Sequence, residues 1–278
     1  MKIKLLALDL DDTTLSTGGV LTDFSRQALL DAMKSGIEVV VASGRNYTSL
    51  PECITGLPGI RYAIVSNGAA IYDIEANTRI AGVHLPPSAV KAVMDLEAQA
   101  EHCSGEIVID SVAYAPTLYI NDPLKFSPDT LSPHIIEYLQ NTRKPVENFY
   151  GFAMDNNTQI DSINLSFKNS SQRVAFQEKL ENLTDEVYMT SSIGHLLEIS
   201  CRDSGKGSAV RTLFKMLDIP LENTAACGNA DNDIDMLKTA AIGAAVENAT
   251  ETCKAAADVI IPKNTENGVG QFSYTLLK

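Results

Sequence analysis

The sequence predicts an α/β protein, a Rossmann-like parallel-sheet core interrupted by an inserted α+β unit. Three observations carry that prediction. Residues 3–8, Ile-Lys-Leu-Leu-Ala-Leu, form a short apolar run that stops at Asp9, as a parallel strand buried on both faces does. A strand–helix–strand alternation with short joints follows it and returns after residue 206, the mark of βαβ units. Between the two stretches the pattern changes, with longer helical segments set among alternating strands.

Each element has its own signal. Residues 25–35 place Ala28, Leu29, Ala32 and Met33 at helical spacing, and Gly36 stands where a helix C-terminal glycine belongs. Residues 37–42 and 62–65 read as the second and third strands. Near the C-terminus, residues 207–217 put Val210, Leu213, Phe214 and Leu217 on one helical face. Residues 224–227 form a strand, 233–239 a helix, and 242–246, 250–257 and 259–261 continue the alternation. A last helix over 268–277 closes the chain. In the middle, helical stretches at 88–101, 132–141 and 172–183 are separated by strands at 106–110, 161–167 and 196–200. Pro86-Pro87 marks the way in and Asp203-Ser204-Gly205 the way back. The expected division is a core of residues 1–83 and 201–278 with an insertion over 84–200.

Composition narrows the function. A chain of 278 residues corresponds to about two domains at roughly 150 residues each. It can build a core without disulfides or a structural metal. Twenty-two Lys and Arg against 35 Asp and Glu leave a net charge of -13, which opposes binding to nucleic acid and to anionic membranes. Aromatic residues make up 6% and Trp is absent, so base-stacking platforms are scarce. No segment approaches the ~18 apolar residues of a transmembrane helix. The first apolar run is too short for a secretory signal. Five scattered cysteines with no CxxC pair argue against a zinc site or a disulfide framework. The expectation is a protein of the reducing cytoplasm, a monomer or small homo-oligomer.

Four segments carry candidate chemistry, each at a strand end or helix start, where parallel sheets form their ligand crevice. The first is Asp9-Leu10-Asp11-Asp12-Thr13 after the first strand. Two carboxylates two residues apart repel unless a cation compensates, which suits a Mg²⁺ site or a nucleophile paired with a general acid. A turn capped by aspartates would look the same. Ser43-Gly44-Arg45 offers a hydroxyl and backbone N–H groups for a phosphate, or simply a tight turn with a solvated Arg. Lys206 opens a helix, where the macrodipole favours anions, so an anion between it and the acids would rationalise it; an exposed surface lysine is the plain alternative. Gly228-Asn229-Ala230-Asp231-Asn232-Asp233 gathers hard oxygen ligands suited to Mg²⁺. N-capping accounts for one of these residues but not for the set. Elsewhere, His84, His102, His134 and His195 are scattered, and Tyr114, Tyr119, Phe149, Tyr150 and Phe152 read as core of the insertion rather than as a pocket lining.

Together these segments resemble the haloacid dehalogenase superfamily, specifically the Cof-type phosphatases with a type II α/β cap. DLDDTTL at 9–15 matches the first motif with one extra Thr, and Ser43-Gly44-Arg45 matches the second. Asn-Gly-Ala at 67–69 is a further hallmark. Lys206-Gly207, preceded by Leu-Glu-Ile at 197–199, matches the third motif, and GNADNDIDML at 228–237 the fourth. Asn248-Ala249 and Asn267-Gly268-Val269 match the tail. The resemblance implies that Asp9 attacks phosphorus to form an aspartyl-phosphate. It makes Asp11 the acid for the leaving group and then the base for water, in surroundings that raise its pKa. Mg²⁺ would be held by Asp9, the Asp11 carbonyl and Asn229, with Asp233 supporting it directly or through water. Ser43, Gly44, Lys206 and Asn232 would hold the phosphoryl oxygens. One departure stands out: position 229 is Asn, where the commonest family residue is Asp, so metal affinity is expected to be weaker. The implied function is a Mg²⁺-dependent phosphatase of small phosphorylated metabolites, sugar phosphates first, with the insertion as the cap that selects the leaving group. The alternatives are a phosphomutase on the same core and a low-turnover phosphate-binding regulator.

Overall fold

In the computed structural model, which describes residues 2–277, the first strand, β1 (Leu5–Leu8), is buried at every position. It is followed by α1 (Asp23–Lys34), β2 (Glu38–Ala42), α2 (Glu52–Thr55), β3 (Tyr62–Val65), β4 (Ala70–Asp73) and β5 (Thr78–Gly82). The Thr22 hydroxyl caps α1 by accepting from Ser25 N–H. Gly36 ends the turn after α1 at φ +86°, a conformation that side chains avoid.

The chain then builds a second unit: α3 (Pro87–Glu97), β6 (Cys103–Ile109), β7 (Val112–Pro116), α4 (Thr117–Asn121), α5 (Pro133–Thr142), β8 (Lys144–Val146), α6 (Phe149–Asp155), β9 (Ile160–Phe167), α7 (Ser170–Leu183), β10 (Val187–Thr190) and β11 (Leu196–Cys201). It returns with α8 (Lys206–Met216), β12 (Thr224–Gly228), α9 (Ile234–Thr239), β13 (Ile242–Val246), α10 (Glu251–Ala256), β14 (Val259–Ile261) and α11 (Gly268–Thr275). Two compact units result, residues 1–82 with 204–278 and residues 83–203. The return falls after 203 because β11 runs through Cys201, which pairs with Val187 of β10.

The first unit's sheet has the order β14-β13-β12-β1-β2-β3-β4-β5. The six strands from β14 to β3 are parallel, and β4 and β5 add an antiparallel edge. The chain winds outward from β1 in one direction through β2 and β3, then in the other through β12, β13 and β14. The C-terminal ends of β1, β2 and β12 therefore flank the topological switch point, where such sheets open a ligand crevice. Apolar residues from the sheet and from α1, α8, α9 and α11 form one core.

The second unit's sheet has the order β10-β11-β9-β6-β7-β8, antiparallel except between β7 and β8. One face packs on α3, α6 and α7 through residues such as Ile107, Ile163, Leu165 and Ile199. Tyr119 and Phe149 are buried and Tyr114 meets Phe152 at 4.8 Å between ring centroids. Tyr150 departs from the expected core: it is exposed, and its hydroxyl donates to Asp95 at 2.7 Å. His84 pairs with the buried Asp161 at 3.2 Å.

Candidate active site

The end of β1 runs straight into the acidic segment. Asp9 N–H donates to the Cys227 carbonyl of β12 at 3.0 Å, which carries the sheet ladder one residue past Leu8. Over residues 10–14 the chain makes a tight turn in which Asp12 adopts φ +57° and Leu15 N–H donates to Leu10 O at 2.9 Å. Thr14 Oγ1 closes the turn on Asp9 O at 2.6 Å, and two contacts pin it from outside, Asn248 Nδ2 to Asp12 O at 2.8 Å and Asn264 Nδ2 to Leu15 O at 2.9 Å. Asn248 belongs to the tail motif. Asn264 lies three residues before Asn267 and carried no signal in the sequence.

Lys206 is not the exposed lysine of the plain alternative. Its side chain is fully buried at the start of α8, and Nζ donates to Asp9 Oδ1 and to Asp233 Oδ1, each at 2.6 Å. Burial works against its charge, but the carboxylates of Asp233 and Asp9 outweigh that and hold it above the ordinary lysine range. Asp233 is buried too, and its Oδ2 accepts from the N–H groups of Asn229 and Ala230 at 2.9 and 3.1 Å. Gly228 makes this closure fit, since a Cβ there would lie 2.4 Å from the Cβ of Asp233. Burial first, then the charge of Asp233, pushes the Asp9 carboxyl up to about 7, with Lys206 opposing both.

This geometry bears directly on a cation. One buried ammonium faces two buried carboxylates, and the second oxygen of Asp9, Oδ2, is buried without a hydrogen-bond partner. An orphaned carboxylate oxygen beside uncompensated negative charge fits a hard divalent ion. Asn229 sits at the neighbouring strand end, partly buried. Among the described residues no group of three or more His, Cys, Asp or Glu is arranged to hold a metal. A cation held here would have to draw on oxygen donors other than a cluster of such side chains. Asp233 thus accepts from Lys206 through Oδ1 and from two backbone N–H groups through Oδ2.

Ser43 leaves β2 buried, tied by its N–H to Ile64 O at 2.9 Å and by its carbonyl to Asn67 N–H at 3.1 Å. Gly44 follows, partly buried. Asn232 is buried; its Nδ2 donates to Asn67 Oδ1 at 3.0 Å, and its Oδ1 has no hydrogen-bond partner. Asn67 takes φ +51°, and its carbonyl accepts from Gly205 N–H at 2.9 Å. Gly68 must be glycine, because a Cβ at its φ of +93° would sit 2.2 Å from the Gly205 carbonyl oxygen. The loop after β3 therefore braces both Lys206 and Asn232, a link absent from the candidate residues drawn from the sequence.

The Asp11 side chain is about half exposed and forms a two-pronged ion pair with Arg45. Arg45, for which a solvated cation is one of the two readings open, is instead tied to the acidic turn after β1.

The comparisons with known proteins agree with this frame. A family model described as haloacid dehalogenase-like hydrolase matches residues 6–272. Phosphatase YwpJ of Bacillus subtilis (strain 168) is 31% identical over 291 residues, covering 99% of this chain and 100% of its own. Pyridoxal phosphate phosphatase YbhA of Escherichia coli (strain K12) is 26% identical, covering 100% of both chains. The solved structure of a haloacid dehalogenase-like hydrolase from B. subtilis superposes with a TM-score of 0.83 at 28% identity, over 98% of this chain and 99% of that one. Fold and relatives define a hydrolytic enzyme of the phosphatase class. The chain belongs to the haloacid dehalogenase-like hydrolase family.

Proposed function

We propose that the protein is a Mg²⁺-dependent phosphatase of small phosphorylated metabolites, with sugar phosphates the leading class, acting through an aspartyl-phosphate on Asp9. The observation that carries this is the Asp9–Lys206–Asp233 cluster, with its excess negative charge and the orphaned Asp9 Oδ2. Asp9 supplies the nucleophilic oxygen. Its backbone is locked by the β1 ladder and the braced turn, so little reorganisation is needed for attack. Asp11 gives its proton to the leaving oxygen and afterwards takes one from the attacking water. Ser43, the Gly44 N–H, Lys206 and Asn232 would hold the phosphoryl oxygens, and Lys206 would share its charge between nucleophile and phosphate. Asp9, the Asp11 carbonyl and Asn229 would hold Mg²⁺, with Asp233 orienting the 229–230 segment through its N–H bonds. Bound there, Mg²⁺ would offset the repulsion between an anionic nucleophile and a phosphate.

The second unit would serve as the cap that selects the leaving group. A cytoplasmic setting suits the five cysteines, none of which forms a disulfide, and no described helix is long and apolar enough to cross a membrane.

Phosphate release from p-nitrophenyl phosphate and from a panel of sugar phosphates, nucleotides and pyridoxal phosphate, with Mg²⁺ and with EDTA, tests the reading. Mg²⁺-dependent release is expected, fastest within the sugar phosphates. Absence of release with every ester would overturn it, and so would conversion of a hexose 1-phosphate to its isomer without free phosphate. Asn229 motivates a second measurement. Asn offers a carbonyl oxygen without charge, so Asn229→Asp is expected to lower the Mg²⁺ concentration for half-maximal rate by about 10-fold, on the order of one favourable charge contact. An unchanged metal dependence would remove position 229 from the ligand set.

A further inference from the structure

Asn232, one of the residues expected to hold the phosphate, is 5% exposed, and its side chain makes one hydrogen bond among the described residues. Nδ2 donates to Asn67 Oδ1 at 3.0 Å, while Asn232 Oδ1 is buried with no partner. The direction of the Asn232 amide therefore hangs on Asn67. A primary amide is planar and carries two N–H donors on one nitrogen. Once one N–H is committed to Asn67, the amide plane sets where the second one points.

Asn67 is itself held by its main chain. Its N–H donates to the Ser43 carbonyl at 3.1 Å, just past the end of β2, and its carbonyl accepts from Gly205 N–H at 2.9 Å, one residue before Lys206. Its backbone is left-handed, at φ +51° and ψ +37°, a conformation that asparagine tolerates better than most residues with a Cβ. Its side chain is buried. Ser43 and the start of α8 thus reach Asn67 through its main chain, whereas Asn232 reaches it through the side chain.

We propose that Asn67 is a positioning residue of the phosphate subsite, whose amide oxygen aims the second N–H of Asn232 at the phosphoryl group. The inference rests on the phosphatase reading and on the place which that reading gives Asn232. Released from Asn67, the Asn232 amide would rotate over a broad range, since this torsion is soft, and binding phosphate would have to order it again. The contact is made to the phosphoryl group before and during reaction alike, so its loss weakens binding and leaves turnover little changed.

Asn67→Gly tests this, because glycine adopts the left-handed backbone freely and keeps both main-chain bonds while removing the bond to Asn232. The variant is expected to raise KM for a hexose 6-phosphate, and the inhibition constant of inorganic phosphate, by about 10-fold, with kcat within about 3-fold of wild type. Asn232→Ala is expected to raise both constants at least as much. Adding Asn67→Gly to Asn232→Ala should then change neither, because the group to be aimed is gone. A rise of the same factor with and without the Asn232 side chain overturns the proposal and makes Asn67 structural, as does an Asn67→Gly protein that fails to fold. Unchanged constants in either single variant overturn it as well, and so does a fall confined to kcat. A wild-type protein that turns over no phosphate ester would instead overturn the phosphatase reading itself, and the role of Asn67 with it.

Discussion

Asp9→Asn is expected to reduce phosphatase turnover by a factor on the order of 10⁴ or more, the scale of losing a catalytic nucleophile. The same variant is expected to be more stable than wild type at neutral pH without metal. Both follow from one position: a carboxylate held in the interior, close to a second one, with a single lysine between them. Burial and Asp233 raise the Asp9 carboxyl from 3.8 to about 7, so the folded state binds a proton over a range where the unfolded chain has lost it. Stability from this group is therefore fullest at low pH and declines as pH rises through that window. Asn carries no charge, accepts the Lys206 hydrogen bond through its amide oxygen, and leaves Lys206 and Asp233 as a balanced pair. Melting curves from pH 4 to 8 in EDTA should show a falling Tm for wild type and a flatter profile for the variant. Mg²⁺ should raise the wild-type Tm, because it binds the folded form, and leave Asp9→Asn nearly unmoved. Equal stabilisation of both proteins by Mg²⁺ would mean that Asp9 is not a metal ligand.

The parts legible in the sequence are those whose physics is local. Strands buried on both faces must be continuous apolar runs, so residues 62–65 and 242–246 read as the strands that the structure contains. The same rule makes Asp9 conspicuous, because an acid that ends such a run stands at a strand end. The antiparallel pair β4 and β5 went unread because β5 is a half-exposed edge strand, Thr-Arg-Ile-Ala-Gly, with no clean alternation. Arg45 and Asn67 were missed as parts of the site for a different reason. Ser-Gly-Arg is a common tripeptide, and the pairing of Arg45 with Asp11 exists only because β1 and β2 are neighbours. Asn67 gains its place only when the loop after β3 turns left-handed and meets Gly205 and Asn232, which are remote in sequence.

Lys206→Met is expected to be the most destabilising single change in the site. Methionine fills much of the same volume, so the loss measures charge rather than packing. Removing the ammonium leaves Asp9 and Asp233 buried, close together and without a counter-ion. Breaking a buried ion pair from one side costs about 3–5 kcal/mol, which for a chain of this size is a Tm drop of roughly 6–20 °C. Protons can replace the missing cation, so the deficit should be largest near pH 8 and shrink toward pH 5, where the stranded carboxylates can be neutralised. The cost should also shrink in an Asp9→Asn background, since only one carboxylate is then left uncompensated. A double-mutant cycle on Tm-derived stabilities isolates this coupling. Additive losses, or a deficit that does not change with pH, would show that Lys206 stabilises the fold through its aliphatic stem. A coupled, pH-dependent deficit would mean that the charge that makes the site fit for a metal and a phosphate is the same charge that the resting fold must keep in balance.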